Sequence, residues 1–120
     1  MAGTLGRAAG LAKSLLQYYG QPWREPRFAR LYRPFVPAGG LCFDVGAHVG
    51  NRTRCWRRLG ARVVAIEPQR DCLAVLRRLY GRDPGVTIVA AAVGAEPGVA
   101  TLWTAPRNPT VATLSRAWID

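Results

Sequence analysis

The sequence predicts an α/β fold built on a small parallel sheet and preceded by a helical arm. From Gly39 onward, short apolar runs alternate with amphipathic segments of helical period, which is typical of βαβ units. The runs at 41–45, 62–66 and 86–90 are largely apolar throughout, as strands of a parallel sheet buried on both faces are. A glycine-containing loop follows the first run directly. A chain of 120 residues has room for one core at most.

Residues 1–38 are predicted to form the arm, and residues 39–120 the domain. Residues 5–19 have the spacing of an amphipathic helix. The proline-rich stretch 21–37 is expected to be irregular, with at most a short helix around 27–32. We expect its aromatic side chains to pack on the domain.

Two helices and a hairpin complete the predicted domain. One helix covers 51–59 and the other covers 70–80, with Gly81 available as a left-handed residue past its end. Residues 99–103 are close enough to the third strand to pair with it in an antiparallel hairpin. The tail after them is expected to be irregular, with a further helix over 114–119.

The chain is strongly basic, with 17 Lys and Arg residues against 7 Asp and Glu and a net charge of +10. Such a charge can indicate a nucleic acid or an anionic membrane as partner. The basic residues are nearly all arginine, and they are scattered over the arm and the predicted helices. Because no base-stacking aromatic motif accompanies them, a basic surface from arginine-rich composition is the favoured interpretation over nucleic-acid binding.

The three cysteines Cys42, Cys55 and Cys72 are too far apart in sequence for a C-x-x-C metal or redox motif. They are interpreted as buried structural thiols, and an odd number without a disulfide framework favours a reducing compartment, the cytoplasm. No stretch reaches membrane-spanning length, and no metal site is predicted.

The strand-to-helix junction Asp44-Val45-Gly46-Ala47-His48-Val49-Gly50-Asn51 is the most informative segment. Gly46 permits a tight turn and close approach of a ligand to the backbone, and Gly50 permits close helix packing, as in dinucleotide-binding loops. His48 stands where the middle glycine of G-x-G-x-x-G would be. A pyrophosphate needs unobstructed amides there, so His48 disfavours NAD. His48 itself is interpreted as a loop histidine that donates to the backbone rather than as a general base, and contact with the cofactor is its competing role.

Two acidic residues favour S-adenosylmethionine as the ligand. Asp44 precedes the first loop glycine, where a carboxylate suits the ammonium group of a cationic ligand. Glu67 follows the second strand, at about the distance where adenosine-binding folds place an acid for the ribose, and Pro68 fixes it at the strand tip. The alternatives are a helix-capping or loop-bracing role for Asp44 and a solvated strand-end charge for Glu67.

The chain resembles the FkbM-type methyltransferases, a family with the Rossmann-like class I fold. The resemblance covers about residues 37–103 and rests on three segments, LCFDVGAHVGNRT, VVAIEP and VTIVAAAVGAEPGVATLW. It implies a cofactor site for S-adenosylmethionine formed by the following residues: Asp44, Gly46, Ala47, His48, Gly50, Asn51, Glu67, Pro68 and, near the adenine, Ala92.

The resemblance implies transfer of a methyl group from S-adenosylmethionine to a hydroxyl of a sugar or other small metabolite. In the class I strand order 3-2-1-4-5-7-6, strand four would lie beside strand one. The chain stops at Asp120 before that strand and before a further acidic motif of the family, so we expect a fragment holding the N-terminal half of the domain. Its first strand would then have an unpaired edge. No catalytic residue is assigned.

Three other functions stay open. A nucleic acid could be the methyl acceptor, with arginines contacting phosphates. The chain could be an inactive half-domain that folds only with a partner. A module that binds NAD is disfavoured by His48 and Asp44.

Overall fold

The structure is a computed structural model that describes residues 2–105 and 107–118. Two helices precede a βαβαβ unit, and two short strands and a single 3₁₀ turn follow it. In chain order the elements are α1 (Ala2–Tyr19), α2 (Arg24–Tyr32), β1 (Leu41–Val45), α3 (Asn51–Arg58), β2 (Arg62–Ile66), α4 (Arg70–Tyr80), β3 (Val86–Val89), β4 (Trp103–Thr104), β5 (Ala112–Thr113) and the 3₁₀ turn (Arg116–Trp118).

The first three strands form a parallel sheet in the order β1-β2-β3. In this sheet Leu41 is opposite Arg62, and Val63 is opposite Val86. The bounds of β1 and β2 agree with the sequence prediction, and β3 ends at Val89, one residue earlier than predicted. The predicted α/β fold with a parallel sheet is confirmed.

One face of the sheet is covered by the helices that connect its strands. Val63 and Ala65 of β2 point to this face and are buried. Leu76 and Tyr80 of α4 pack with Ala65 and the loop residue Ala47 to form the core. The hydrophobic core therefore lies between the sheet and α4, and α3 packs beside it against β1 and β2.

The opposite face of the sheet is open at β1. Leu41, Phe43 and Val45 alternate along β1 with the residues of the covered face, and they are 51%, 59% and 54% exposed. The prediction that these strands are buried on both faces is therefore wrong for β1, and it is wrong for β3 as well, because Thr87 and Val89 on the same face are exposed. Among the described residues β1 pairs with β2 alone, so it forms an edge of the sheet, as predicted.

The arm contains more helix than predicted, because α2 spans nine residues in the stretch expected to be mostly irregular. Pro26 lies in the first turn of α2, where its missing N–H has no intrahelical partner to lose. α2 is fixed to α3 by Glu25, which forms ion pairs with Arg54 (3.0 Å) and Arg58. The predicted packing of the arm's aromatic residues on the domain is confirmed for Tyr32, which contacts Trp56 of α3, but it is wrong for Trp23 and Phe35, which are exposed.

Three local predictions are wrong. Gly81 has a φ of −62° and continues the right-handed backbone instead of adopting a left-handed cap. The run 99–103 does not pair with β3; Val99 is exposed, and β4 pairs antiparallel with β5 instead. Of the predicted helix 114–119, the described part contains only the 3₁₀ turn, and residue 119 lies outside the described residues.

No helix in the described part of the chain combines the length and the apolar character needed to cross a membrane. All three cysteines are unpaired thiols; Cys55 and Cys72 are buried, and Cys42 is partly exposed. Burial raises the pKa of Cys72 to about 12, which keeps this thiol protonated. Two of the three cysteines therefore match the predicted structural role.

Candidate functional site

The loop between β1 and α3 has three residues in the left-handed region of backbone space. Gly46, His48 and Gly50 have φ values of 72°, 54° and 82°. The N–H groups of Gly46 and Ala47 both donate to the carbonyl oxygen of Ile66, at 2.9 and 3.0 Å. These two hydrogen bonds hold the loop against the end of β2. His48 adopts a φ of 54°, which is uncommon for a residue other than glycine.

Gly50 is required by close packing as well as by its backbone conformation. A Cβ added to it would lie 2.6 Å from Cε2 of Tyr80 and 2.8 Å from Cδ2 of Leu76. Two tyrosines hold the carbonyls beside it. Tyr19 donates to the oxygen of Val49 (2.6 Å), and the Tyr80 hydroxyl is 2.6 Å from that of Tyr19 and 3.0 Å from the oxygen of Gly50. Burial raises the pKa of both tyrosines, so both hydroxyls keep their protons for these contacts.

Asp44 is 1% exposed, and its carboxylate accepts hydrogen bonds from residues in the first turn of α3. Its Oδ2 accepts hydrogen bonds from the N–H (3.1 Å) and the hydroxyl (2.7 Å) of Thr53, and its Oδ1 accepts one from Nε of Arg52 (3.3 Å). This is the helix-capping role that the sequence left open for Asp44. In this arrangement the side chain does not line a cavity, so a contact from Asp44 to a cationic ligand stays a prediction.

Glu67 is 2% exposed and connects two loops. Its Oε2 accepts a hydrogen bond from the N–H of His48 (2.8 Å), and its Oε1 accepts one from the N–H of Gln69 (2.8 Å). Because each carboxylate oxygen has a second lone pair, each can still accept a hydrogen bond from a ligand. Glu67 is therefore a buried acceptor and not the solvated strand-end charge considered as its alternative.

A cavity of about 420 Å³ lies at the carboxyl ends of β1 and β2. The two strand-end loops, the arm and the C-terminal tail contribute to its lining. The lining residues are Tyr18, Phe28, Tyr32, Gly46, His48, Asn51, Arg52, Glu67, Pro68, Gln69, Thr110 and Ala112. A second cavity of about 530 Å³ lies beyond Pro68 and Gln69, which line both, and the Gln69 side chain donates to the carbonyl of Pro109 (2.9 Å).

Five of the nine residues predicted for the site line this cavity, namely Gly46, His48, Asn51, Glu67 and Pro68. The other four do not line it. Asp44, Ala47 and Gly50 are buried, whereas Ala92 is exposed after the end of β3. The structure thus brings the two predicted motifs together at one cavity, and it places Ala92 outside the lining.

Sequence reasoning missed the aromatic side of the cavity. Tyr18 comes from the end of α1, and Phe28 and Tyr32 come from α2. These residues lie 14 or more positions before the glycine loop, and no spacing rule connects them to it. The only signal in the sequence was the predicted packing of the arm's aromatic residues on the domain.

The imidazole of His48 faces Tyr18, with the ring centroids 5.7 Å apart and the planes at 74°. Both ring nitrogens are buried, and neither has a hydrogen-bond partner among the described residues. Burial lowers the pKa of His48, which makes the ring neutral near pH 7. A neutral imidazole offers one donor and one acceptor, and neither is used among the described residues, so the predicted donation from the His48 ring to the backbone is wrong.

Comparison with known proteins supports the fold. No protein-family model matches this chain, and no curated protein matches it. Among solved structures, the chain is similar to a protein of Pyrococcus horikoshii assigned as an RNA methyltransferase, with a TM-score of 0.50 and 19% sequence identity. The match covers 57% of this chain and 37% of that protein, so the chain spans little more than a third of it. At this identity the likeness shows a shared Rossmann-like α/β fold.

Proposed function

We propose that this chain binds S-adenosylmethionine in the 420 Å³ cavity and forms part of an enzyme that transfers the methyl group to a hydroxyl of a sugar or another small metabolite. One observation carries the proposal. The buried carboxylate of Glu67 and the glycine loop after β1 face the same cavity at the carboxyl ends of two parallel strands. Open α/β sheets bind nucleotide-type ligands at this edge.

The chemistry of the lining suits the adenosine part of this cofactor. Glu67 has one unused lone pair on each carboxylate oxygen, which fits two adjacent ribose hydroxyls as donors. A Cβ added at Gly46 would meet no atom within 4 Å, so the space beside its backbone is open to a ligand.

The bound cofactor would supply an electrophilic methyl group on a sulfonium. The residues of this chain would then bind and orient it, because alignment of acceptor oxygen, methyl carbon and sulfur is the main requirement of such a transfer. Glu67 would fix the ribose end, and the loop from Gly46 to Gly50 would fix its distance from β1. The FkbM-type resemblance favours a hydroxyl acceptor.

Calorimetric titration with S-adenosylhomocysteine tests the proposal. We expect the chain to bind this ligand and Glu67→Gln to weaken binding by about 10- to 100-fold, since a hydrogen bond to a charged group contributes roughly 1.5–3 kcal/mol. Glu96→Gln makes the same change at an exposed position outside the cavity and should bind normally. A folded chain that does not bind, equal binding by Glu67→Gln, or tighter binding of NAD would refute the proposal.

A nucleic-acid acceptor is a second candidate, favoured by one surface. Arg27 and Arg30 are exposed on the outer side of α2, close in sequence to the exposed indole of Trp23. Arginines contact phosphates, and an aromatic ring can stack on a base. Fluorescence anisotropy with single-stranded RNA at two salt concentrations would test it. Binding that weakens with salt and is reduced in Arg27→Ala would support this acceptor class, and salt-independent or absent binding would exclude it.

A further inference from the structure

The arm contributes Phe and Tyr rings to the cavity, whereas the loops after β1 and β2 contribute none to its lining. Tyr18, Phe28 and Tyr32 all line the cavity that contains Glu67. The rings of Phe28 and Tyr32 are nearly parallel, at 8°, with centroids 6.2 Å apart. Tyr32 also packs edge-on against Trp56 of α3, with centroids 5.3 Å apart. The rings are thus held in place by the domain.

A positively charged ligand meets unfavourable electrostatics in the rest of this chain. The net charge is +10, and Arg52 lines the cavity. Asp44 does not compensate inside the cavity, since its oxygens accept hydrogen bonds from Thr53 and Arg52. Glu67 is the one carboxylate among the lining residues. Recognition of a cation therefore needs a further source of negative potential.

Aromatic faces provide such a source. The π-system of Phe or Tyr has a negative face that attracts a cation within about 6 Å of the ring centroid, and cages of such rings bind quaternary ammonium ligands. The same interaction occurs between α3 and the arm, where the guanidinium of Arg54 lies 5.2 Å from the ring centroid of Tyr19. The three cavity rings have the composition of such a cage.

We propose that Tyr18, Phe28 and Tyr32 form an aromatic wall that recognises a positively charged onium centre in the cavity. This inference rests on the proposed function, and it makes the arm part of the ligand site. It has one direct consequence. The sulfonium form of the cofactor binds more tightly than the neutral thioether that remains after methyl transfer, so the spent product is displaced by fresh cofactor.

The experiment compares two ligands on matched variants of the chain. Calorimetry gives the dissociation constants of S-adenosylmethionine and S-adenosylhomocysteine, and their ratio isolates the effect of the charge. We expect the wild-type chain to prefer the sulfonium by between about 2- and 30-fold. Phe28→Leu keeps apolar bulk without a π-face and should bring the ratio close to one, whereas Phe28→Tyr should retain the preference.

Phe35→Leu is the matched control, because Phe35 is 77% exposed and does not line the cavity. Its ratio should equal that of the wild type. If Phe28→Leu does not fold, as judged by circular dichroism, Tyr18→Leu gives the same comparison from α1.

The outcomes separate this inference from the function on which it rests. If both ligands bind and the ratio is unchanged in Phe28→Leu and Tyr18→Leu, the aromatic wall does not recognise charge, while the proposed function stands. An equal loss of affinity for both ligands also refutes charge recognition, because it indicates lost packing. If neither ligand binds the folded wild-type chain, the proposed function fails and the inference fails with it.

Discussion

The carboxyl ends of β1 and β2 each have a nearly fully buried acidic residue, and the two residues serve different purposes. Asp44, 1% exposed, lies within β1 on the face covered by α3, where it caps that helix. Glu67, 2% exposed, comes one residue after β2 has ended and faces the cavity. Both side chains are buried carboxylates, and they differ in length and in position, since Asp44 lies within its strand and Glu67 lies beyond the end of its strand.

The physical reason is the period of two along a strand. Side chains within a strand alternate strictly between the two faces, so an acid inside β1 must point either to the helices or to the open face. Asp44 has the same orientation as Cys42, towards α3. Glu67 continues the buried alternation of Val63 and Ala65. It lies beyond the last residue of β2, however, and its carboxylate there contacts the loop residues His48 and Gln69. Four experiments test this contrast.

The largest expected effect is on the loop that separates the two acids. Gly50→Ala places a methyl group against Tyr80 and Leu76 at a φ of 82°, and we expect it to lower the free energy of unfolding by about 3 kcal/mol. Gly39→Ala is the control, since Gly39 has a φ of 77° but no atom near its Cβ. Gly39→Ala should lower the free energy of unfolding by roughly 1 kcal/mol, which is the cost of the left-handed backbone alone.

Urea denaturation followed by circular dichroism measures both Gly50→Ala and Gly39→Ala. Equal losses in the two variants would contradict the packing role of Gly50, and they would mean that backbone strain alone makes glycine necessary there.

Asp44→Asn should affect stability rather than ligand binding. The amide cannot accept from Thr53 and Arg52 with both of its terminal atoms, so one buried contact is lost. We expect the free energy of unfolding to fall by about 1–3 kcal/mol. Affinity for S-adenosylhomocysteine, measured well below the unfolding temperature, should change less than twofold.

Glu67→Gln is the variant to compare with Asp44→Asn, because it should reduce the affinity for S-adenosylhomocysteine far more. A large loss of affinity in Asp44→Asn with unchanged stability would reverse the two roles. It would also support the prediction that Asp44 contacts the ammonium group of the ligand.

Thr53→Val tests the cap at one hydrogen bond. Thr53 is fully buried, and its hydroxyl donates to Asp44 at 2.7 Å, so valine removes this bond while keeping the volume. We expect a loss of about 1 kcal/mol in the free energy of unfolding. Thr87→Val, on the open face of β3, should change stability little.

The double variant Asp44→Asn with Thr53→Val should be less destabilised than the sum of the single changes, since both remove the same contact. Strict additivity in urea denaturation would show that the two side chains are not coupled, and the cap would then have to be assigned to other groups.

The smallest expected effect concerns pH. Because burial lowers the pKa of His48, the unfolded chain binds a proton more readily than the folded chain just below the ordinary histidine value of about 6.5. Stability contributed by the neutral ring is present above that value and is lost as the pH falls through it. His48→Asn removes the titration, and asparagine tolerates the left-handed backbone.

Unfolding curves at pH 7 and pH 5.5 should therefore differ more for the wild-type chain than for His48→Asn. The carboxyl of Asp83 does not interfere in this window, because the Arg57 guanidinium holds its pKa below the ordinary value of 3.8. Identical pH dependence in both chains would mean that His48 is not the titrating group.

Local patterns were sufficient to predict the βαβαβ unit. The bounds of β1, β2 and α4 agree with the apolar runs and the helical spacing, because these depend on residues next to each other in sequence. The glycine loop and Glu67 were found in the same way. Parallel strands place their carboxyl ends at one edge, so the convergence of both motifs on one cavity followed from the strand assignment.

Other features depend on contacts between distant residues. α2 forms in a proline-rich stretch because Glu25 and Tyr32 pack on α3, a contribution that local propensity does not contain. The pairing of β4 with β5 instead of β3 likewise joins residues about ten positions apart, Trp103 with Thr113 and Thr104 with Ala112.

The sequence by itself determined the parallel sheet, the glycine-containing loop and the acid that follows β2, since each follows from neighbouring residues and the geometry of a strand. Only the tertiary structure decided that Asp44 caps α3 and that Tyr18, Phe28 and Tyr32 line the cavity. The reason is that side-chain direction and the docking of α1 and α2 depend on packing between elements remote in sequence. Asp44, inside its strand, thus contacts α3, whereas Glu67, just past its strand, contacts two loops and lines the cavity.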